Sequence, residues 1–117
     1  MSLNCNGQLI DLNTPKIMGI LNLTPDSFYD RGKYIDVENA LVQTEKMLLD
    51  GATFIDIGAC SSKPGAEEIS EEEEARRLFP VLEKLVNKFP NALFSIDTYR
   101  SQIADESLKI GACMIND

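Results

Sequence analysis

Short apolar runs suited to β-strands alternate along the chain with longer stretches whose apolar positions recur at helical spacing. Residues 16–21 (KIMGIL) form one such run, and within one residue the character flips to Asn22, Thr24, Pro25, Asp26 and Ser27. A helix is predicted from Asp36, an N-cap with Glu38 in the first turn. Val37, Leu41, Thr44 and Leu48 share one of its faces, widened by Ala40 and Met47. Asp50-Gly51 ends it, glycine taking the left-handed position. Thr53 to Ile57 is the next strand, and Gly58 to Ile69 reads as a loop rich in Gly, Ser and Pro. Ser70 and Glu73 then form a capping box. The stripe Leu78, Leu82, Leu85 and Phe89, flanked by Val81 and Val86, carries a second helix to its stop at Pro90. Leu93 to Ile96 is a third strand, residues 100–110 a third helix, and Gly111 opens a fourth strand.

Upstream, residues 5–12 hold Asn6-Gly7 between short strand candidates, a hairpin signal. Met1 to Asn4 reads as a flexible start. Repeated strand-helix order requires parallel strands, here near 16–21, 53–57, 93–97 and 112–116, joined by right-handed crossovers in sequential order. The segment from Gly51 to Ile57 echoes that from Gly111 to Asp117, about sixty residues later. Repetition every two strand-helix units suits a (β/α)8 barrel, although a doubly wound sheet also produces it; the loops favour the barrel. No strand-helix loop carries the G-x-G-x-x-G or G-K-[ST] pattern of nucleotide-binding sheets.

Charge and composition narrow the function. A chain of 117 residues with net charge −8 lacks the basic patch that nucleic acid requires. No apolar run is long enough to span a membrane, and the start has no basic-then-apolar signal. Three widely spaced cysteines, Cys5, Cys60 and Cys113, argue against a disulfide framework or zinc site. The cytoplasm is the expected compartment, and Cys113, in an apolar run, is expected to be a small core residue. With no histidine, Ser-His, Cys-His and two-His metal designs are excluded. The acidic run Glu71 to Glu74 invites a metal reading. Its position at a helix start, one turn before Arg76 and Arg77, explains it without a metal.

Polar residues collect where each strand ends. Asn22 follows the first strand; Asp56 and the loop Ser61-Ser62-Lys63-Pro64-Gly65 follow the second. Ser95, Asp97 and Thr98 come from the third, and Asn116 and Asp117 from the fourth. In a barrel all of these would converge on one rim, where such enzymes place their chemistry.

The runs GILNLTPDSF (19–28), FIDIG (54–58) with SSKPGA (61–66), SIDT (95–98) and IND (115–117) resemble the dihydropteroate synthases. That resemblance implies a TIM barrel joining 4-aminobenzoate to 6-hydroxymethyl-7,8-dihydropterin diphosphate, with release of diphosphate. It implies that Asn22 gives an amide oxygen to Mg²⁺, which commonly takes few protein ligands. Asp97 would grip the pterin, whose amino-pyrimidine edge offers two parallel N–H donors, with Asn116 beside it. Ser62 matches a loop hydroxyl that touches the pterin substrate. Asp56 is a further rim member that could hold loop geometry. Thr24, Pro25, Asp26, Ser27 and Phe28, with Ser61, Lys63, Pro64 and Gly65, would close over the aminobenzoate and exclude water.

Departures from the family pattern are visible. Cys60-Ser61-Ser62-Lys63 stands where Glu-Ser-Thr-Arg is common, and lysine lacks arginine's fork. Tyr29 and Arg31 replace small residues. A corrinoid-type pterin methyltransferase shares the barrel and the Asp and Asn contacts, and a non-catalytic half-barrel is the other alternative. Only about four of eight strands can be written from residues 1–117, so the chain is expected to be the N-terminal part of a single barrel domain. On its own it is expected to be inactive. Its two open sheet edges leave a homodimer open to it.

Overall fold

A computed structural model describes residues 2–5, 8–11, 17–23, 36–59 and 68–116, the first two segments by their backbone. Strands β1 (Ser2–Cys5) and β2 (Gln8–Asp11) pair antiparallel, with Cys5 opposite Gln8. Residues 2–5 are therefore ordered in a ladder, not a flexible start. Then come β3 (Met18–Asn22), α1 (Val37–Leu49), β4 (Phe54–Gly58), α2 (Glu71–Lys88), β5 (Leu93–Asp97), α3 (Ser101–Ile110) and β6 (Met114–Asn116). The four later strands form one parallel sheet in the order β3-β4-β5-β6, as the strand-helix repeat requires.

Both N-caps fall where the sequence puts them, but the capping box is only half made, because the Glu73 carboxylate turns to Arg76 and Arg77. Asp36 accepts from the backbone N–H of Asn39 at 2.9 Å, and Ser70 from that of Glu73 at 3.1 Å. Pro80 lies inside α2, although proline gives no N–H to the carbonyl four residues back. Arg76 and Pro80 both lie on the exposed face, where water can serve that carbonyl. The echo between the two halves is a shared helix ending. Ala52 N–H reaches Met47 O at 3.0 Å after α1, and Ala112 N–H reaches Ser107 O at 3.0 Å after α3. Both are six-to-one bonds closed through a glycine of positive φ, 105° at Gly51 and 142° at Gly111.

All the main apolar weight lies on one side of the sheet. Leu21, Leu23, Ile55, Ile57, Phe94 and Ile96 pack with Ala40, Leu41, Leu78, Val81, Leu82, Leu85 and Ile103 from the helices. Side chains alternate across a strand, so Met18, Ile20, Phe54, Leu93 and Met114 project to the other face. There Phe54 and Leu93 form a small second cluster with Met114 and Cys113. Cys113 is half-buried against this cluster, a small packed residue as expected, but it is disulfide-bonded, which corrects the expectation that the cysteines stay unpaired. It lies at the start of β6, outside the helix-covered layer. Among the described residues, no helix is long and apolar enough to cross a membrane.

The two glycine endings separate a backbone cost from a packing cost. An added Cβ at Gly51 meets nothing within 4 Å, whereas at Gly111 it would lie 2.8 Å from Val86 Cγ1 and 3.0 Å from Cγ2. Gly51→Ala is expected to cost about 1 kcal/mol for its positive φ alone. Gly111→Ala adds overpacking and should cost about 2–3 kcal/mol. Urea unfolding of the two variants checks the order.

Candidate functional site

Parallel pairing in register fixes which residues share a height. Asn22 is the partner of Gly58, Gly58 of Asp97, and Asp97 of Asn116. All four project from the face opposite the helices, at the carboxyl end of the sheet. Strands lie about 4.8 Å apart, so the Asn22 and Asp97 backbones flank a slot about 10 Å wide. Its middle, Gly58, has no side chain. A Cβ there would sit 3.5 Å from Asp97 Cβ and 3.6 Å from its Oδ2, so the Asp97 carboxylate leans along the gap. Asn22, Asp97 and Asn116 are exposed and Gly58 is buried. The sequence reading put Gly58 in a loop; the alternation Phe54, Asp56, Gly58 was the signal that it belongs to this face.

One layer below stand Ile20, Asp56, Ser95 and Met114. Asp56 is only 6% exposed and Ser95 is fully buried. Both were expected on the rim, but their strands continue past them by two residues. Asp56 Oδ1 and Ser95 Oγ have no hydrogen-bond partner. Thr98 is also not a rim residue. It is buried on the helix side, where its Oγ1 accepts from the Arg100 backbone N–H at 3.2 Å and its own N–H donates to Asn116 O. Asp97 does not cap α3: the N-cap is Arg100, with no side-chain cap bond.

Arginines tie the connections around this rim, and sequence reading missed them. Arg77 Nη1 donates to Ala59 O at 3.1 Å, just past β4. Arg100 Nη1 donates to Glu74 Oε1 at 2.7 Å and Nη2 to Ile69 O at 2.6 Å. The Arg100 guanidinium stacks 4.9 Å from the Tyr99 ring, whose hydroxyl donates to Glu68. Ala59 and residues 68–69 are thus held from α2 and from the β5–α3 connection. The available signal was that Glu74 falls inside α2 on the stripe of Leu78 and Leu82, four residues before Leu78; it is 1% exposed and requires a cation.

The acidic run is accounted for by its arginines. Glu73 accepts from Arg76 Nε at 2.8 Å, Arg76 Nη2 at 2.5 Å and Arg77 Nε at 2.8 Å. These bonds hold its carboxyl down from the ordinary value of 4.5 to about 2. No group of three His, Cys, Asp or Glu among the described residues is placed to hold a metal. Among the described residues, Asn22 shares the lining of a small cavity at the start of α1 with Asp36, Asn39 and Gln43. A larger depression between α2 and α3, with Glu71, Glu72, Asp105 and Glu106 in its walls, lies on the outer helical layer away from the rim. Ser62, the closing residues Thr24 to Phe28, and Ser61, Lys63, Pro64 and Gly65 lie outside the described residues.

A sequence model of a family described as pterin binding enzyme matches residues 18–117. Over all 117 residues the chain is 46% identical to a dihydropteroate synthase of Haemophilus influenzae, covering 42% of that protein. Its structure superimposes on Xanthomonas albilineans dihydropteroate synthase with 4-aminobenzoic acid at a TM-score of 0.86 and 40% identity, covering 99% of this chain and 43% of that one. With the Yersinia pestis dihydropteroate synthase in a sulfonamide drug complex the TM-score is 0.85 at 44% identity, covering 100% of this chain and 42% of that one. The chain therefore spans about two-fifths of the length of the relatives it matches. Its sheet and helices are those of part of a TIM barrel, the expected fold class.

Two outcomes follow from the ion pairs. Arg100→Met leaves Glu74 buried without its cation and should destabilise by about 3 kcal/mol, much of which Arg100→Met with Glu74→Leu should restore. Thermal melts of both variants measure this. Glu73, its carboxyl pKa depressed, contributes stability that is complete above about 4.5 and lost as pH falls toward about 2. For a solvent-screened pair that is about 0.5–1 kcal/mol. The stability gap between wild type and Glu73→Gln should therefore close over that acid window in urea titrations.

Proposed function

This chain belongs to the pterin-binding enzyme family, and from that premise we propose that it supplies the pterin- and diphosphate-facing rim of a dihydropteroate synthase. The carrying observation is the single layer Asn22, Gly58, Asp97 and Asn116, drawn from four strands to one height. Asp97 accepts two parallel N–H donors from the pterin edge, a charge-assisted pairing. Asn116, its register partner, donates and accepts on the same ring. The placement supports this reading because Asp97 has no capping duty in α3.

Diphosphate carries charge that an acidic chain must offset locally. Mg²⁺ fits the donor set, since Asn22 brings one exposed amide oxygen at the strand end and magnesium keeps waters and phosphate oxygens for the rest. When bound, the ion neutralises charge on the leaving diphosphate. The chain's own part is to hold the pterin still with its methylene directed outward from the rim. There the carbon–oxygen bond to diphosphate breaks, the arylamine nitrogen bonds to the carbon, and that nitrogen loses a proton. A fixed pterin converts this into a reaction between positioned partners. Ser62 and Lys63, with the closing residues of both loops, belong to the same proposal as the groups that touch the diphosphate and exclude water.

A chimera in which residues 1–117 replace the aligned segment of the Haemophilus influenzae synthase is expected to form dihydropteroate from 4-aminobenzoate and the pterin diphosphate with Mg²⁺. Asp97→Asn in it should weaken pterin binding by about 2–3 kcal/mol in calorimetric titration, with little change in melting temperature. A folded chimera that is inactive, or one that instead moves a methyl group from a reduced folate to a cobalamin, overturns the assignment.

A further inference from the structure

We propose that the binding site continues one layer beneath its rim, where Asp56 and Ser95 form a buried floor that takes an N–H or O–H donor through the gap left by Gly58. This rests on the pterin reading above and deepens it. Asp56 and Ser95 are register partners on adjacent strands, so their side chains rise side by side about 5 Å apart. Both are more than nine-tenths buried, and neither Asp56 Oδ1 nor Ser95 Oγ has a partner, so they do not bond to each other. Native structures pair the large majority of such atoms. Two adjacent exceptions on the ligand face mark a place built for a group from outside the chain.

The helix side of that floor is closed, and the rim above it has one position without a side chain. Behind it, Ile55, Ile57, Phe94 and Ile96 seal the helix side. Beside it stand Ile20 and Met114, and below it Phe54 and Leu93, all apolar. Above it, in the strand of Asp56, comes Gly58, the rim position without a side chain. A flat heterocycle held at Asp97 lies against that opening. The donor is either a ring N–H of the ligand or a water carried beneath it, which can give one hydrogen to Asp56 and one to Ser95.

Calorimetric titration with 6-hydroxymethylpterin tests this on Asp56→Asn, Ser95→Ala, Gly58→Ala and Asp97→Asn, with a melt of each ligand-free variant. The full chain is used, and the chimera above where the chain's affinity is too low to read. Asp56→Asn and Ser95→Ala should each weaken binding about tenfold, the loss of roughly one hydrogen bond, and Gly58→Ala should weaken it by a similar factor because its methyl fills the gap. Ligand-free melting temperatures should hold or rise. Ser95→Ala removes an unpaired buried hydroxyl, and the Cβ of Gly58→Ala meets Asp97 only at ordinary contact distances, 3.5–3.9 Å. Lower melting temperatures with unchanged affinity would show a merely structural role and overturn the proposal. If the Asp56 and Ser95 losses vanish for a pterin analogue lacking the facing N–H, the ring is the donor; if they persist, water is. Full affinity in the three variants beside a weakened Asp97→Asn overturns the floor and leaves the pterin reading standing. No binding by the unsubstituted protein overturns both.

Discussion

In-register parallel pairing of β3 to β6 is the constraint on which the rest depends. Asn22, Gly58, Asp97 and Asn116 are far apart in the chain, and nothing local brings them together. Because each strand is matched residue for residue with its neighbour, equal height on the ladder becomes proximity in space. A slip of one residue in any strand would turn its polar end toward the helices and a core residue toward the opposite face. That register is held by burial, since Ile55, Ile57 and Ile96 are completely enclosed. The apolar side of the sheet therefore sets the geometry of the polar side.

Charged contacts finish what the register begins. A strand fixes its own residues, but the connection that leaves it can wander. Arg77 on Ala59 and Arg100 on Ile69 hold the two described ends of the β4–α2 connection. Arg100 also belongs to the connection that follows Asp97, and its bond to the buried Glu74 reaches into α2. One guanidinium thus links two strand-helix connections, which a planar fork can do and an ammonium cannot do as well.

Local chemistry was legible in the sequence because it depends on near neighbours. Asp36 and Ser70 cap where their side chains reach three residues ahead, and the glycine endings follow from the same short range. Strand order was legible too, since repeated strand-helix alternation leaves few topologies. Height within a strand was not. Asp56 and Ser95 read as rim residues because a polar residue near a strand end resembles one at its end. The difference of two residues depends on pairing with strands elsewhere in the chain. The partners of Glu74 were hidden for the same reason: Arg100 is distant in sequence and meets it only through packing of α2 and α3.

Alternation then separates what each strand residue does. In β3 and β4 the odd positions, Leu21, Ile55 and Ile57, and in β5 the even ones, Phe94 and Ile96, belong to the helix-covered core. Their neighbours belong to the other face. Stability is concentrated on the first set, where apolar area leaves water, so the second set is free to carry groups that a core would reject. Ser95 and Asp56 with unpaired oxygens would be a liability in a sheet covered on both faces by its own helices. They are tolerated because the opposite face holds the fold. A face built this way can change its chemistry by substitution at every second residue without disturbing the register that positions it.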